Sequence, residues 1–407
     1  MREKLLDLLL TNIIPYWSEK MIDHQNGGFY GRVSGEEKMF PLADKGAVLN
    51  ARLLWFFSAS YRFLSHEDVL LDFPDKTEQI EQAEIRCLQC ATRAKRYLTD
   101  RFYDNTYGGV FWSVNYKGEP SATKKQFYAL GFAIYGLSEF HRATGDLEAL
   151  EYAKSLFFDI ENHSYDPEAN GYLEAKTREW KEIEDMRLSD KDENLQITMN
   201  THLHILEPYT NLYRVWKNEE LAERIRNLID IFLNRILDKN TCHLGLFFDR
   251  NWQRHGNEVS YGHDIEASWL ILEAALVLSD ESLIERVSEA TARIAIASLE
   301  GYQKDGSMIY ELKKDGGTDR DRHWWVQAET LVGLLYLDRY HNYSNALNFA
   351  SKTLGYITEN LVDKTNGEWF WSVREDGSVN KADDKAGFWK CPYHNGRMCI
   401  ESLELLR

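Results

Sequence analysis

Apolar residues recur at helical spacing along most of the chain, in segments that come in pairs. Examples are residues 127–144 followed by 146–162, 198–216 followed by 218–237, and 324–340 followed by 343–361. Gly and Asp stand at many of the breaks, as is typical of helix ends. The pattern predicts paired helices joined by short links.

Between the pairs, a turn signal followed by a short aromatic run returns six times. The signature is marked by Gly28, Gly109, Gly171, Gly245, Gly306 and Gly367, about 60 to 80 residues apart. Gly and Asn favour turns, and the aromatic run is typical of a short hairpin. Each unit is therefore predicted to contain a hairpin, a helix, a short link and a second helix.

Six such units predict about twelve helices and an all-α fold. Because the repeat count ends at six, and an open solenoid would need polar capping repeats, we expect a closed (α/α)6 barrel with short β-hairpins between its units. Residues 1–407 would then form a single catalytic domain, although this length alone would suggest two or three domains.

Two segments depart from the repeat. Residues 66–82 are acidic and residues 177–194 are charged and weakly periodic, so both are predicted to be solvated loops. Since the second segment directly precedes a His-rich helix, a lid over a site is an alternative for it.

Composition narrows the possible partners. The formal net charge of −17 argues against nucleic acid or an anionic membrane. No apolar run approaches the roughly 20 residues of a membrane span. Asp7 interrupts the first apolar run, which predicts an amphipathic helix rather than a signal peptide. The five cysteines lack zinc spacing and are predicted to be reduced thiols of a cytoplasmic protein.

Polar and aromatic residues of different chemistry recur at one structural position, the start of the helix after each hairpin. They are Arg52, Tyr128, His204, His263, Trp325 and His394. In a closed barrel this position faces a common axis in every unit, so we expect one pocket at the mouth of the barrel.

Three histidine motifs place charged groups near imidazoles. His263 is expected in the first turn of a helix, with Glu266 on the same face, where a carboxylate can set the tautomer and pKa of the ring. His204 and Glu207 repeat this spacing. His202 cannot face the same way and is expected to be structural or supporting.

Two further motifs place a charged residue three or four positions after a candidate residue, so that both lie on one helix face. Pro392 precedes His394, as expected at a helix entrance, and Arg397 lies one turn on. In the fifth unit, Trp325 and Glu329 are four residues apart and share a helix face.

Acid–base catalysis suits these residues better than other chemistry. The histidines come from three separate units without the short local spacing of zinc ligands, so a metal site is the less favoured alternative. No G-x-S-x-G motif indicates a serine nucleophile. Tryptophans near the candidates, Trp269 and Trp389 among them, suit a carbohydrate, because sugar C–H faces stack on indole rings.

Five motifs resemble the N-acylglucosamine 2-epimerase family and span nearly the whole chain. They are Leu49-Asn-Ala-Arg-Leu-Leu-Trp55, Met199-Asn-Thr-His-Leu-His-Ile-Leu-Glu207, Ser260-Tyr-Gly-His-Asp-Ile-Glu-Ala-Ser-Trp-Leu270, Trp324-Trp-Val-Gln-Ala-Glu329 and Trp389-Lys-Cys-Pro-Tyr-His-Asn-Gly-Arg-Met398. The resemblance implies an (α/α)6 barrel without a metal or redox cofactor. It implies reversible C2 epimerisation of the reducing-end glucose of β-1,4-linked disaccharides, converting cellobiose to glucosyl-mannose and lactose to epilactose.

The resemblance also implies site residues. Family functional positions match Arg52, His204, His263, Glu266, Trp325, Glu329 and His394, and positions similar to substrate contacts match Tyr128, Asn200 and Trp389. We expect Trp269 to join the substrate-binding set. The partner is then a disaccharide, and the protein is expected to be a monomer or weak homodimer.

The chemistry assigns roles to these residues. His263 and His394 are expected to exchange the C2 proton on opposite sugar faces, with His204 helping ring opening or orientation. Arg52 would stabilise the enediolate, and Glu266 and Glu329 would hold the imidazoles and sugar hydroxyls.

Alternatives from other classes stay open. A monosaccharide 2-epimerase or aldose–ketose isomerase, acting on mannose or N-acylglucosamine, uses the same enediolate. An inverting glycoside hydrolase would need two carboxylates about 6.5–9.5 Å apart, and a non-catalytic binding module would need none of the acid–base groups.

Overall fold

The structure is a computed structural model that describes residues 1–189 and 192–407. Asp190 and Lys191, within the predicted loop or lid 177–194, lie outside the described residues. The helices of the described part are α1 Arg2–Asp7, α2 Ala47–Leu64, α3 Glu67–Asp72, α4 Thr77–Tyr97, α5 Phe127–Thr144, α6 Leu147–His163, α7 Met199–Val215, α8 Glu219–Ile231, α9 Tyr261–Leu278, α10 Glu281–Ser298, α11 Trp324–His341, α12 Ala346–Tyr356 and α13 Tyr393–Leu405.

The strands are two or three residues long. They are β1 Lys45–Gly46, β2 Ser113–Val114, β3 Pro120–Ala122, β4 Lys125–Gln126, β5 Tyr165–Asp166, β6 Gly171–Tyr172, β7 Ala175–Lys176, β8 Ile197–Thr198, β9 Phe247–Phe248, β10 Arg254–His255, β11 Val259–Ser260, β12 Glu311–Leu312, β13 Thr318–Asp319, β14 Arg322–His323 and β15 Ser372–Val373.

Six helices form a closed inner ring. In chain order they are α2, α5, α7, α9, α11 and α13; each packs against the next, and α13 packs against α2. The inner helices are buried on nearly every side, as in α11, where every residue from Trp324 to Leu337 is buried. The prediction of an (α/α)6 barrel is confirmed.

An outer helix covers each inner helix. Helices α4, α6, α8, α10 and α12 follow their inner partners in the chain, whereas α1 packs on α13 and so completes the sixth pair from the opposite end of the sequence. Several outer helices finish in π-helical turns, such as Phe232–Ile236 after α8. The amphipathic first helix expected from the sequence is present. One hydrophobic core connects Leu5 to Leu403, and the single domain over residues 1–407 stays a prediction.

A small hairpin follows each outer helix, as the repeat predicts. In five of them the side chain of an aspartate accepts backbone N–H bonds from the residues two and three places after it; these are Asp23, Asp104, Asp166, Asp238 and Asp363. Such side-chain turns explain why the hairpin position repeats with Asp, Asn and Gly.

Strands link neighbouring units around one mouth of the barrel. The strand that leads into an inner helix pairs with the next unit, as in β1 with β2, β4 with β7, β8 with β9, β11 with β12 and β14 with β15. A bridge between Val33 and Ala386 joins the first unit to the sixth. These pairings fix the starts of the inner helices, where the candidate residues lie.

Glycines allow the inner helices to approach closely. A Cβ at Gly131 would lie 2.3 Å from the carbonyl oxygen of His204, and one at Gly136 would lie 2.6 Å from that of Ala51. Any side chain at these positions would push α5 away from α7 or α2, and Gly131 therefore helps to set the position of the His204 backbone.

The structure corrects one predicted loop. Residues 66–82 form α3, a 3₁₀ turn at Pro74–Lys76 and the start of α4. The prediction of a solvated loop was wrong because Val69 and Ile80 are buried against the core, and single apolar contacts are not visible as periodicity in an acidic segment. The five cysteines, all within the described residues, are free, as expected. No helix among the described residues is long and apolar enough to cross a membrane.

Candidate active site

The six candidate residues lie in the first two turns of the six inner helices, at one mouth of the barrel. Aromatic and cationic contacts connect them: His263 lies 4.7 Å from Trp325 and Trp325 lies 5.6 Å from His394, between ring centroids. On the other side, His204 packs 5.0 Å from Tyr128, whose hydroxyl accepts a 2.8 Å bond from Arg52. The structure therefore brings together the residues that the repeat placed on a common axis.

Arg397 lies at the centre of the buried part of the site. Its guanidinium bonds Glu207 of α7, Glu266 of α9 at 2.6 Å and Glu329 of α11 at 2.7 Å. It also contacts the Tyr393 hydroxyl, which donates to Glu207. One arginine of α13 thus fixes carboxylates from three other inner helices, and charge-assisted bonds of this kind are strong.

Two of these carboxylates hold histidines. Glu329 Oε1 lies 2.7 Å from Nδ1 of His394, and Glu207 Oε2 lies 3.0 Å from Nδ1 of His204. A carboxylate at Nδ1 assigns the ring proton to that nitrogen and leaves Nε2 as a lone-pair acceptor. Both imidazoles are therefore oriented as bases.

His263 is held differently from the prediction. Its Nδ1 lies 2.8 Å from the hydroxyl of Ser260, and Glu266 turns inward to Arg397 instead. The predicted His263–Glu266 pair was wrong because the nearby guanidinium attracts the carboxylate more strongly than a neutral imidazole does. Glu266 has its second oxygen buried without a hydrogen-bond partner among the described residues.

Burial keeps the site histidines neutral. It lowers the pKa of His263 to about 3, and the neighbouring His204 adds to the effect. Burial, with Arg52 and Arg397, lowers the pKa of His394 well below its usual value. Burial likewise lowers the pKa of His204, although Glu207 opposes the shift. Neutral imidazoles can accept a proton directly at neutral pH.

The carboxylates differ in their affinity for protons. Burial alone would raise the pKa of Glu207, but Arg397 and His204 outweigh it and lower the pKa to about 2. For Glu266, burial and then repulsion from Glu329 raise the pKa well above its usual range. Two carboxylates that share one guanidinium titrate as a pair, so a proton can be stored at Glu266 and Glu329.

Arg52 is fixed in the wall of the site. Besides Tyr128, it donates a 3.3 Å bond to the backbone oxygen of Trp389, and its guanidinium lies 4.1 Å from the Phe132 ring centroid. Its Nε is buried without a partner among the described residues. An immobile positive charge next to the candidate histidines suits a developing oxyanion.

A cavity of about 550 Å³ opens beside His263. Its lining includes Asn200, Tyr310, His323 and Trp371. It is large enough for a small oligosaccharide, since ligand pockets usually measure about 300–1,000 Å³.

The segment expected to be a loop or lid contributes to this cavity. Arg187, Leu188 and Asp192 line it, and Gln126 donates to the backbone oxygen of Met186, which ties the segment to the barrel. The described part of residues 177–194 therefore covers the site, while its movement as a lid stays a prediction.

The predicted substrate-binding residues divide into two groups. Asn200 lines the cavity, Trp325 and Trp389 pack around the candidate residues, and Tyr128 contacts Arg52. Trp269 instead lies behind the carboxylates, 1% exposed, and donates a 3.1 Å bond to Glu329. Its expected place at the substrate is corrected, because the indole fills the barrel interior next to Arg397.

Glu266, Glu329 and His394 offer ligand atoms within 4.8 Å of one another and could in principle hold a metal ion. Arg397, however, already bonds both carboxylates, and the Nδ1 of His394 bonds Glu329. A metal ion would have to displace this guanidinium. These side chains are therefore better suited to binding the Arg397 guanidinium than to binding a metal ion. Metal independence stays a prediction.

The model of the family described as N-acylglucosamine 2-epimerase (GlcNAc 2-epimerase) matches residues 28–396. The chain belongs to this family. Within it, the chain is 57% identical over 404 residues to the cellobiose 2-epimerase of Bacteroides fragilis, covering 99% of this chain and 98% of the relative. It is 36% identical over 394 residues to the cellobiose 2-epimerase of Ruminococcus albus, covering 97% and 96%.

A solved structure shows the same architecture. Cellobiose 2-epimerase from Bacillus thermoamylovorans superposes with a TM-score of 0.91 at 40% identity, covering 99% of this chain and 98% of the other. The family and fold expected from the sequence motifs are confirmed, and the chain is a carbohydrate epimerase by family.

Two residues of the candidate site have larger roles than the sequence predicted. Arg397 and Tyr393 organise the carboxylates, although both stand within the last quoted motif and Arg397 follows His394 by one turn. The signal available in the sequence was an arginine three residues after His394, on the same helix face. His202, expected to be structural, accepts a bond from the Tyr172 backbone N–H and packs away from the cavity.

Proposed function

We propose that this protein catalyses the reversible epimerisation at C2 of the reducing-end glucose of β-1,4-linked disaccharides, the activity of a cellobiose 2-epimerase. The main support is the 57% identity to such an enzyme over almost the whole chain. Cellobiose and lactose are the expected substrates.

The reaction begins with ring opening. An acid and a base must act at O5 and O1 of the sugar to expose the aldehyde. His204 is suited to this step, because Glu207 fixes its Nδ1 and leaves Nε2 as the reactive atom. Asn200 at the cavity wall can orient a hydroxyl group.

Proton transfer at C2 then needs two groups. His263 and His394 both lie against Trp325, at 4.7 and 5.6 Å between ring centroids, and come from different helices. One removes the C2 proton, and the other returns a proton to the opposite face. The base starts as a neutral imidazole, and the histidine that returns a proton must carry it on Nε2. When His394 gives up its Nε2 proton, the carboxyl pair Glu266 and Glu329, whose pKa burial raises, can replace it through Nδ1, and in the reverse direction the same pair takes the proton back.

The intermediate cis-enediolate carries negative charge on its oxygens. Arg52 supplies a fixed positive charge, so no reorganisation is needed when the charge forms. The carboxyl groups of Glu266 and Glu329, which can share a proton, lie next to His394. Their Oε1 atoms are 3.9 and 2.7 Å from its Nδ1. These carboxylates can therefore stabilise the imidazolium formed after proton abstraction.

Proton NMR of cellobiose with EDTA-treated enzyme in D2O tests the proposal. The expected product is a mannose-type reducing end with deuterium at C2. Free glucose would indicate hydrolysis, a ketose would indicate isomerisation, and an unchanged spectrum would contradict the proposal and direct the assay to mannose and N-acylglucosamine. Loss of activity on EDTA treatment, restored by a metal ion, would contradict metal independence.

Single substitutions test the roles of the two bases. His263→Ala and His394→Ala are each expected to lower kcat by at least 10²-fold, since a proton-transfer group typically contributes about 10²–10⁴ in rate. Circular dichroism should show an unchanged helix content. Wild-type turnover by either variant would remove that histidine from the mechanism.

A further inference from the structure

Glu368 occupies a backbone position that other repeats give to glycine. In the first two hairpins, the residues four and five places after the turn aspartate are Gly27 and Gly28, and Gly108 and Gly109, all with positive φ. In the sixth hairpin the same places hold Gly367 at φ 82° and Glu368 at φ 59°.

The hydrogen bonds establish that the positions are equivalent. The backbone N–H of Asp23 donates to the oxygen of Gly28, and that of Asp363 donates to the oxygen of Glu368, at 3.2 and 2.9 Å. A left-handed conformation is unfavourable for a residue with a Cβ. Outliers of this kind tend to cluster at functional sites, which makes the Glu368 side chain the part to explain.

The carboxylate of Glu368 is fully buried and accepts from four donors. They are the Lys390 ammonium at 2.8 Å, the Asn395 amide at 2.8 Å, the backbone N–H of Trp369 at 3.0 Å and the indole of Trp17. Both Lys390 and Glu368 are 0% exposed. The carboxylate therefore joins the outer helical layer, through Trp17, to the chain segment that enters α13.

Two of these donors are direct neighbours of site residues. Lys390 follows Trp389, whose backbone oxygen holds Arg52, and Asn395 follows His394. Fixing Lys390 and Asn395 to one carboxylate therefore fixes the backbone on both sides of the segment that carries Trp389 and His394.

We propose that Glu368 is a positioning residue for the active site, holding Trp389 and His394 in place through Lys390 and Asn395. The proposal rests on the proposed function for its kinetic readout. It explains why a strained conformation and a buried ion pair occur together in this hairpin.

The first unit supplies a matched control. Lys45 and Asp23 also form a fully buried pair, 2.8 Å apart, which attaches a hairpin to the strand before an inner helix. Neither residue contacts the candidate residues. Asp23→Asn and Glu368→Gln therefore each leave one buried lysine without its carboxylate.

The test compares these two variants by thermal unfolding and by steady-state kinetics on cellobiose. Both should have lower unfolding midpoints. Glu368→Gln should lower kcat at least tenfold, since a shift of about 1 Å in a reacting group can cost about 10²-fold, whereas Asp23→Asn should stay within twofold of wild-type kcat. Equal kcat values in the two variants would overturn the proposal.

Two further measurements keep the test decisive. If Glu368→Gln does not fold, Glu368→Gln/Lys390→Met removes both charges, with Asp23→Asn/Lys45→Met as its control and the same outcomes expected. Crystal structures of the variants report positioning without any substrate. Displaced Trp389 and His394 side chains support the proposal, and unmoved ones overturn it, even if wild-type enzyme proves inactive on cellobiose and the proposed function itself fails.

Discussion

Arg397 is the residue on which the electrostatics of the site depend. It is 0% exposed and bonds three carboxylates from three other helices. Burying one arginine among three acids is tolerable only because protons can be shared between Glu266 and Glu329, whose pKa values burial raises. Arginine suits this place because its planar fork can bond several partners at once.

Replacing this arginine should damage stability as well as activity. Arg397→Met leaves buried carboxylates unpaired, and breaking a buried ion pair typically costs about 3–5 kcal/mol. Urea unfolding would measure the loss. Arg286→Met, which breaks a half-exposed pair with Asp230, serves as the control and should cost less than about 1 kcal/mol. Similar losses in the two variants would contradict the central role of Arg397.

The neutral histidines predict how activity depends on pH. Because burial lowers the pKa of His263 to about 3 and that of His394 well below normal, both bases stay active in mild acid. The acid limb of kcat/KM should therefore lie below pH 6. A limb near 6.5, the ordinary histidine value, would show that a catalytic imidazole is hydrated.

The same shifts predict a loss of stability in acid. Burial lowers the pKa of His202 to about 4, so below about pH 6.5 the unfolded chain binds more protons at this residue and at His263 and His394 than the folded chain does. Each buried histidine should therefore lower stability by about 1.4 kcal/mol per pH unit as the pH falls below 6.5. Buried carboxyls with a raised pKa, such as Glu174 and Glu266, act in the opposite direction, because they bind a proton more readily in the folded chain. Urea unfolding of wild type and His202→Gln at pH 6.5 and 5.5 isolates the effect of one histidine, and a difference between the two proteins that does not change with pH would contradict it.

Helices of the outer layer contribute stability without entering the site. Asp146 is the N-cap of helix α6, and its side chain accepts a 2.9 Å bond from the Ala149 backbone N–H. Its buried face packs on α5, which carries Tyr128. Helix α6 therefore affects the site through the position of α5.

Capping of α6 can be tested separately from catalysis. Asp146→Ala should lower the free energy of unfolding by about 1 kcal/mol, while kcat/KM stays within twofold of wild type. Asp146→Ser keeps a capping oxygen and should recover most of the stability. A kcat loss in the alanine variant with normal stability would contradict the division between layers.

At the scale of the whole molecule, the cavity concentrates negative charge. Its lining carries the carboxylates Glu174, Asp192, Glu193, Glu258, Glu311, Asp319, Asp321 and Asp383, and the cations Arg187, Lys313 and Lys314. Burial raises the pKa of Glu174 to about 8, so this carboxyl carries little charge at neutral pH. The remaining carboxylates give the lining of the cavity its net negative charge. The cavity therefore repels anionic ligands.

This charge predicts selectivity for uncharged sugars. A disaccharide with glucuronic acid in place of the non-reducing glucose should have kcat/KM at least tenfold below that of cellobiose at low ionic strength. Added salt should narrow the difference, because it screens exposed charges within about 10 Å at 0.1 M. Equal values at low salt would show that the acidic lining does not act on the bound sugar.

The sequence by itself determined the repeat, and through it much of the site. Gly and Asp turns, aromatic hairpins and paired helical segments are local signals, so the barrel and the ring of Arg52, Tyr128, His204, His263, Trp325 and His394 followed from spacing alone. The carboxylates of Glu207 and Glu329 were expected beside imidazoles, and both are there. A repeat makes this possible because equivalent positions must face the same axis.

Only the tertiary structure decided which charged groups pair. Glu266 bonds Arg397 instead of His263, and Trp269 lies behind the carboxylates. Glu368 of the sixth hairpin pairs with Lys390. Each of these contacts joins residues far apart in the chain or on different helices. Helical spacing fixes which face a side chain is on, but the competition among partners in a buried cluster depends on distances between helices, which only packing sets.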